Sequence, residues 1–216
     1  NSLRSAMSGA GTDEQAIFGK LQGKNKEQID AIKTQYRETY GKDLAEDLKG
    51  DLSGNDLKKA QALLSGDNAK AEAATLRSAM SGMGTDEASI HKTLEGKDAK
   101  TRAAIQEAYK NEYGRDLSAD LKDEMKGAEL DRANALLEGK GAKAEAAKLR
   151  EAMSGMGTDE NSIWQSLEGK SAEERKAIMD EYKNTYGKDL KADLKEEMGG
   201  NDLKRTETLL EKGKLS

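Results

Sequence analysis

A short glycine loop that occurs three times carries the residues of this chain best suited to chemistry. The pattern Met-Ser-Gly-x-Gly-Thr-Asp-Glu runs over Met7–Glu14, Met80–Glu87 and Met153–Glu160, with 73 residues from one copy to the next. Two glycines around a single residue allow a tight backbone bend, because glycine reaches positive φ without a Cβ clash. Outward-facing carbonyl oxygens on such a bend suit a hard cation such as Ca²⁺, provided that a carboxylate joins them.

A carboxylate lies at the same sequence distance from every copy of the loop. The residue 42 positions after the first glycine is acidic in each case: Asp51, Glu124 and Glu197. Each of these acids ends a stretch that reads Asp-Leu-Lys-x-acid. The constant separation predicts that each acid meets the carbonyls of its own loop, so that both parts share one cation.

The composition favours a helical protein. The 216 residues are 36% charged and 35% apolar, and they include no Val, Pro or Cys. Without Val and Pro, and with abundant Ala, Leu, Lys and Glu, helices are favoured over strands. Disorder is the alternative for so polar a composition, but the apolar residues recur at fixed places in each period, which argues against it.

The distribution of charge along the chain argues against some classes of binding partner. The formal net charge is −5, with both signs mixed along the chain. No basic stripe is present, which argues against nucleic acid as a partner, and attraction to an anionic membrane would need a bridging cation. No signal peptide and no membrane-spanning apolar run is recognisable. We therefore expect a cytoplasmic protein or one associated peripherally with a membrane.

Apolar residues spaced by four recur in every period and predict five short helices per repeat. In the first repeat, Ile17 and Leu21 mark the second helix, and Tyr36 and Tyr40 mark the third. The helix after each loop is predicted to be capped by a threonine: Thr12, Thr85 and Thr158. The predicted fold class is all-α, with repeats over residues 1–67, 68–140 and 141–216, the first of which has a shortened first helix.

Two further sets of side chains recur at fixed positions. The first helix carries an arginine in each repeat, predicted to form an intramolecular ion pair: Arg4, Arg77 and Arg150. The second helix carries Phe18, His91 or Trp164, and this variety predicts either a partly exposed position or a contact between repeats, with His91 at the surface.

The combined motif resembles the annexin repeat. It reads Leu-Arg-x-Ala-Met-x-Gly-x-Gly-Thr-Asp-Glu, followed by Tyr-Gly-Lys/Arg-Asp-Leu and then Asp-Leu-Lys-x-acid, and the three copies cover the whole chain. The resemblance implies tandem repeats of about 73 residues, each a right-handed superhelical arrangement of five helices. It also implies Ca²⁺ as the cofactor and an anionic phospholipid membrane surface as the partner.

By the same resemblance, three backbone carbonyls and one carboxylate hold each metal ion. The implied ligand residues are Met7, Gly9, Gly11 and Asp51; Met80, Gly82, Gly84 and Glu124; and Met153, Gly155, Gly157 and Glu197. About five oxygens fall short of the six to eight that Ca²⁺ prefers, which leaves room for water or a lipid phosphoryl oxygen. The residue between the glycines would touch the membrane: Ala10, Met83 or Met156. Because Asp51 and Ala10 are the shortest side chains at their positions, the first site is predicted to be the weakest.

The predicted function is calcium-dependent binding to anionic phospholipid membranes. The alternative is a helical-repeat module that binds proteins, in which the glycine loops are only structural corners. An enzyme is not expected, since the chain has no Cys, a single His and no recognisable acid–base motif. No Asp-x-Asp-x-Asp-Gly loop is present, which excludes an EF-hand.

Overall fold

The structure, a computed structural model, describes residues 2–215, and this part of the chain contains fifteen α-helices and no β-strand. In the first repeat they are α1 Ser2–Met7, α2 Glu14–Leu21, α3 Lys26–Tyr40, α4 Leu44–Asp51 and α5 Gly54–Ser65. In the second they are α6 Asn68–Met80, α7 Glu87–Leu94, α8 Ala99–Tyr113, α9 Leu117–Glu124 and α10 Gly127–Glu138. In the third they are α11 Gly141–Ala152, α12 Glu160–Leu167, α13 Ala172–Tyr186, α14 Leu190–Glu197 and α15 Gly200–Lys212. The predicted all-α fold with five helices per repeat is confirmed.

The helices form two compact units. The first unit comprises the described residues up to Thr93 together with Ala99–Asp120, and the second comprises Leu94–Asp98 and the described residues from Leu121 onward. Within them, the most extensive packing joins the last helix of one repeat to the first helix of the next, α5 to α6 in the first unit and α10 to α11 in the second. The units therefore differ from single repeats, and the repeat boundaries stay a prediction.

Each unit has a core built from the periodic apolar positions. Ile17 and Leu21 of α2 are 0% and 1% exposed, and Ile163 and Leu167 of α12 are both 0% exposed. Helix α2 packs against α5 in the first unit, and α12 packs against α15 in the second. The four-residue spacing thus marks the face that each second helix buries.

The helix that carries the distant acid starts at a defined point. Gly41 ends α3 in the left-handed conformation, at φ 66°, where glycine has no Cβ penalty. Two residues later the side chain of Asp43 accepts a hydrogen bond from the Glu46 amide and caps α4. Gly187 and Asp189 do the same between α13 and α14.

An arginine, a tyrosine and an aspartate join three helices within each repeat. In the third repeat, Arg150 Nη1 lies 3.2 Å from Asp193 Oδ2, and the Tyr182 hydroxyl donates to the same oxygen at 2.6 Å. The equivalent groups are Arg4, Tyr36 and Asp47 in the first repeat and Arg77, Tyr109 and Asp120 in the second. The ion pairs predicted for the three arginines are confirmed.

The contacts within these triads shift the pKa of the tyrosines and of Asp120. Burial, reinforced by the hydrogen bond to the aspartate, raises the pKa of Tyr109 and Tyr182 to about 12. For Asp120, burial alone would raise the pKa. Hydrogen bonds from Tyr109 and Arg115 outweigh it, and the pKa of Asp120 lies below its usual value. Each group is therefore held in one protonation state at neutral pH.

Of the two alternatives predicted for Phe18, His91 and Trp164 on the second helix, partial exposure is wrong for two residues, and a contact between repeats stays a prediction. Phe18 is 4% exposed and His91 is 3% exposed, whereas Trp164 is partly exposed as predicted. The ring of Phe18 is covered by Lys59, whose Nζ lies 4.4 Å from the ring centroid. Where α2 packs on α5, the helix buries both Ile17 and Phe18. Variation of the residue type between repeats at the second of these positions therefore does not indicate exposure to solvent.

The tyrosines of the triads should resist ionisation at alkaline pH. The folded pKa of about 12 for Tyr109 and Tyr182 lies above the ordinary value of 10.0, so the unfolded chain loses these protons first and stability falls as pH rises from the ordinary value toward the folded one. Tyrosinate absorbance measured during a pH titration should show Tyr109 and Tyr182 ionising together with unfolding. A titration in which all six tyrosines ionise at the ordinary pKa while the helices persist would contradict this.

Replacing the aspartate of a triad should destabilise the first unit, and the loss of stability should be larger for the more deeply buried aspartate. The side chain of Asp120 is 4% exposed and that of Asp47 is 20% exposed. Asp120→Ala leaves a buried hydroxyl and an arginine without their acceptor, and we expect it to lower the free energy of unfolding by about 3 kcal/mol. Asp47→Ala should cost less, because water can replace the lost carboxylate. Urea denaturation followed by circular dichroism measures both, and equal losses would show that burial does not set the cost.

Candidate metal centre

Each glycine loop is closed by one backbone hydrogen bond. The amide of the aspartate after the threonine donates to an alanine carbonyl seven residues earlier, at 2.9 Å in every copy: Asp13 to Ala6, Asp86 to Ala79 and Asp159 to Ala152. This bond joins the end of the first helix to the start of the second. The six residues between its two partners must therefore form a compact bend.

The two glycines of each loop have different roles. The second glycine has positive φ, 121° at Gly11, 90° at Gly84 and 99° at Gly157, which side-chain-bearing residues rarely adopt. The first glycine lies outside that region and pairs with the second through a single β-bridge, as Gly9 does with Gly11. A Cβ on Gly155 would meet the carbonyl oxygen of Gly157 at an ordinary 3.9 Å. The second glycine is thus required by backbone conformation and the first is not.

The helix after each loop is capped by aspartate, so the predicted threonine cap is wrong. The side chains of Asp13, Asp86 and Asp159 accept hydrogen bonds from the amides of Ala16, Ser89 and Ser162. Helices α2, α7 and α12 begin at the residue after the aspartate, which leaves the threonine one position too early to cap them. Hydrogen bonds from Ser89 and Ser162 also lower the pKa of Asp86 and Asp159.

The threonine of the loop does not cap the following helix. In the first and third repeats it contacts the end of the helix that carries the distant acid. Thr158 Oγ1 donates to the carbonyl oxygen of Glu197 at 3.2 Å and lies 3.4 Å from Glu197 Oε2. In the first repeat, Thr12 Oγ1 donates to the carbonyl oxygen of Asp51 at 3.4 Å. The third loop thus meets both the backbone and the carboxylate of its acid.

In the second repeat, the loop and its acid belong to different compact units. Met80, Gly82 and Gly84 lie in the first unit and Glu124 lies in the second. The meeting of this loop with Glu124 therefore stays a prediction. All three acids are solvent-exposed, as binding of a cation from solution requires.

The methionines of the loops divide into a buried and an exposed set. Those that begin the loops are between 7% and 9% exposed: Met7, Met80 and Met153. Those between the glycines, Met83 and Met156, are fully exposed at 107%, and Ala10 is also exposed. Each loop is thus anchored in the core at its base and presents its tip to solvent.

A group of charged residues beside the third loop was missed by the sequence analysis. A cavity of about 340 Å³ next to Gly157 is lined by Arg132, Lys148 and Glu151, and Arg132 Nη1 lies 3.3 Å from Glu151 Oε2. No periodic signal marks this group, because the first repeat has Ser2 at the position of Lys148.

In the described range, no cluster of three or more His, Cys, Asp or Glu side chains with metal-binding geometry is found. In the third loop, the carboxylate that lies beside the bend is that of Glu197, 3.4 Å from Thr158 Oγ1. Of the described helices, none is both long and apolar enough to cross a lipid bilayer.

The repeated loop and its acid identify the family to which the chain is related. The sequence profile described as Annexin matches residues 1–63, 71–129 and 144–206. This chain belongs to the annexin family. Mouse annexin A13 is 38% identical over 218 residues, which cover 94% of this annexin and 67% of that protein. Human annexin A13 is 35% identical over 223 residues, with 96% and 69% covered, so this annexin spans about two-thirds of the length of these relatives.

Solved annexin structures align with nearly the whole of this annexin. Annexin III is 27% identical and covers 98% of this chain and 70% of its own, with a TM-score of 0.42. A mutant of annexin A8 is 26% identical with the same coverage and a TM-score of 0.42.

The two glycines of the third loop should respond differently to substitution. Gly157→Ala forces a Cβ into the left-handed region and should cost about 1–2 kcal/mol and distort the loop. Gly155→Ala is the matched control, because its Cβ makes only an ordinary contact. Thermal unfolding of the two variants measures the difference. Equal melting temperatures would show that the loop of this annexin does not depend on the left-handed residue.

Proposed function

We propose that this annexin binds anionic phospholipid membranes in a calcium-dependent manner through its three glycine loops. Membership of the annexin family favours this function. The observation that carries the proposal is the contact of Thr158 with both the carbonyl and the carboxylate of Glu197. This contact brings an exposed acid to a bend of backbone carbonyls, which is the donor set that Ca²⁺ prefers.

In the proposed site, the carbonyl oxygens of the loop and the distant carboxylate coordinate one Ca²⁺. For the third loop, the ligands are the carbonyls of Met153, Gly155 and Gly157 and the side chain of Glu197. The set in the first loop is Met7, Gly9, Gly11 and Asp51, and in the second loop it is Met80, Gly82, Gly84 and Glu124. A single formal negative charge per site gives weak affinity in solution, toward the ~10⁻⁴–10⁻³ M end of the known range.

A lipid phosphoryl oxygen supplies the remaining coordination at a membrane. Calcium and lipid then increase the affinity of the protein for each other by the same factor, because the coupling is reciprocal. The exposed tips Met83 and Met156 add apolar surface that enters the lipid boundary, while Ala10 adds little. Binding through several loops raises the overall avidity for a vesicle.

The first loop is proposed to be the weakest of the three. Its acid is one methylene shorter, and Thr12 contacts only the backbone of Asp51, whereas Thr158 also lies within hydrogen-bonding distance of the Glu197 side chain. The small side chain of Ala10 reduces its lipid contact further. The tandem repeats over residues 1–67, 68–140 and 141–216 are proposed as three non-enzymatic binding modules of a peripheral membrane protein.

Two results would separate this function from the alternative, a protein-binding scaffold. A membrane binder sediments with anionic vesicles only when Ca²⁺ is present, and chelation releases it. A scaffold with structural loops would stay in the supernatant under both conditions.

Removal of the charge at Glu197 tests the carboxylate directly. Glu197→Gln keeps the size of the side chain but loses the bidentate grip on Ca²⁺, and we expect roughly tenfold or greater loss of calcium affinity at the third loop. Glu196→Gln is the matched control, since it removes the same charge from the neighbouring exposed position. Calorimetric calcium titrations measure both variants, with thermal unfolding in chelator to verify equal stability. Identical titrations for the two variants would remove Glu197 from the site.

A further inference from the structure

The eight methionines of the chain differ widely in their access to solvent. Five are buried, with exposed fractions between 5% and 9%: Met7, Met80, Met125, Met153 and Met198. A sixth, Met179, is partly buried and packs against the core of the second unit. The other two, Met83 and Met156, have exposed fractions of 107% and lie between the two glycines of their loops. Full exposure of a methionine therefore occurs only at the tip of a glycine loop.

A buried and an exposed methionine occur within the same loop. Met80 begins the second loop and is 7% exposed, whereas Met83 at its tip is 107% exposed. Met153 and Met156 repeat this arrangement in the third loop, with the same two exposed fractions. The first loop has Ala10 at its tip and therefore has no sulfur there. A chemical change at a tip methionine can thus alter the outer surface of a loop and leave its anchor in the core intact.

The exposed thioethers are the groups of this chain that a peroxide attacks most readily. Cysteine thiolates are frequent targets of oxidants in proteins, but the sequence contains no Cys. Oxidation of methionine gives a polar sulfoxide in place of a flexible apolar side chain, and methionine sulfoxide reductases reverse the change. Because the oxidant must reach the sulfur atom, Met83 and Met156 react before the buried methionines.

We propose that Met83 and Met156 are reversible oxidation sites, at which a peroxide weakens the adhesion of the second and third loops to a lipid surface. The inference rests on the proposed membrane function. A lone pair of the thioether sulfur attacks one oxygen of hydrogen peroxide, so that an S–O bond forms and the O–O bond breaks. The proton on the transferred oxygen passes to the departing hydroxide, which leaves as water. The sulfur is oxidised and the peroxide is reduced.

Oxidation of the tips changes the lipid contact and not the calcium ligands. The proposed ligands are backbone carbonyls and distant carboxylates, which the peroxide does not alter. A sulfoxide oxygen that enters the lipid boundary loses its hydrogen bonds to water, and burial of a polar group without a partner costs free energy. The first loop keeps its small tip residue, Ala10, under the same conditions. Oxidation should therefore weaken attachment to the membrane while the remaining binding still requires Ca²⁺.

Treatment of the full chain with limiting hydrogen peroxide tests the selectivity and its effect. Peptide mass spectrometry should find one added oxygen on Met83 and one on Met156 before the five buried methionines gain any. The treated protein should bind anionic vesicles with Ca²⁺ roughly tenfold more weakly, since the apolar contact of two partly inserted side chains is lost. Calcium titration without lipid and thermal unfolding in chelator should not change. Incubation with methionine sulfoxide reductases should restore vesicle binding.

Two variants assign the loss of binding to the tips, each compared with its own untreated sample. Met83→Leu combined with Met156→Leu keeps apolar tips without sulfur, so peroxide should not change its affinity for vesicles. Met179→Leu is the matched control, because it removes the next most accessible thioether and keeps both tips. It should lose as much binding on oxidation as the parent does. Exchange of Met for Leu nearly conserves volume, which limits the effect of these substitutions on the fold.

Several results would overturn the inference. If the buried methionines are oxidised as quickly as Met83 and Met156, exposure does not select the sites. If the oxidised parent binds vesicles as tightly as before, or the double leucine variant loses as much binding as the parent, the tips do not control adhesion. Failure of the untreated parent to bind vesicles with Ca²⁺ would instead overturn the proposed function, and this inference with it.

Discussion

An aspartate, buried in the second and third repeats, holds together the two helices on which each glycine loop depends. Asp193 accepts from Arg150, three residues before the third loop, and from Tyr182 on the long helix between. The same aspartate stands one helical turn before Glu197 on α14. Because Arg150 leads directly into the loop, the ion pair sets the position of the loop relative to the acid. Asp47 makes the equivalent connection between Arg4 and the helix that ends at Asp51.

Two local features of the third loop, in addition to the ion pair, fix its conformation. The hydrogen bond from Asp159 to Ala152 closes the loop at its base, and the positive φ of Gly157 sets the bend at its tip. Thr158 then bridges the closed loop to the end of α14. The side chain of Met153 is buried while the rest of the loop projects outward. The candidate site is therefore preorganised by backbone and core contacts, which lowers the entropic cost of binding a cation.

The features that could be predicted from the sequence are those marked by residue types that recur at the same spacing in every repeat. The four-residue spacing of Ile17 and Leu21 predicted a helix and its buried face, and the family resemblance suggested how the helices are grouped in each repeat. The constant distance between loop and acid predicted a meeting that the contact of Thr158 with Glu197 supports. Thr12 and Asp13 are both good capping residues, so the choice between them depended on the contact with α4, which no local pattern encodes. Likewise, Arg132 and Glu151 come together only through the packing of α10 on α11.

The fully exposed tip of the loop has an evolutionary consequence. Met156 makes no contribution to the core, and the bend beneath it is maintained by the backbone and by the glycine that follows. Substitution at the tip therefore changes the outer surface without changing the free energy of folding. Duplicated loops can then diverge independently in hydrophobicity while sharing one architecture, as Ala10 and Met83 already do. The side chain at each tip can therefore change separately, because the fold beneath it does not depend on that side chain.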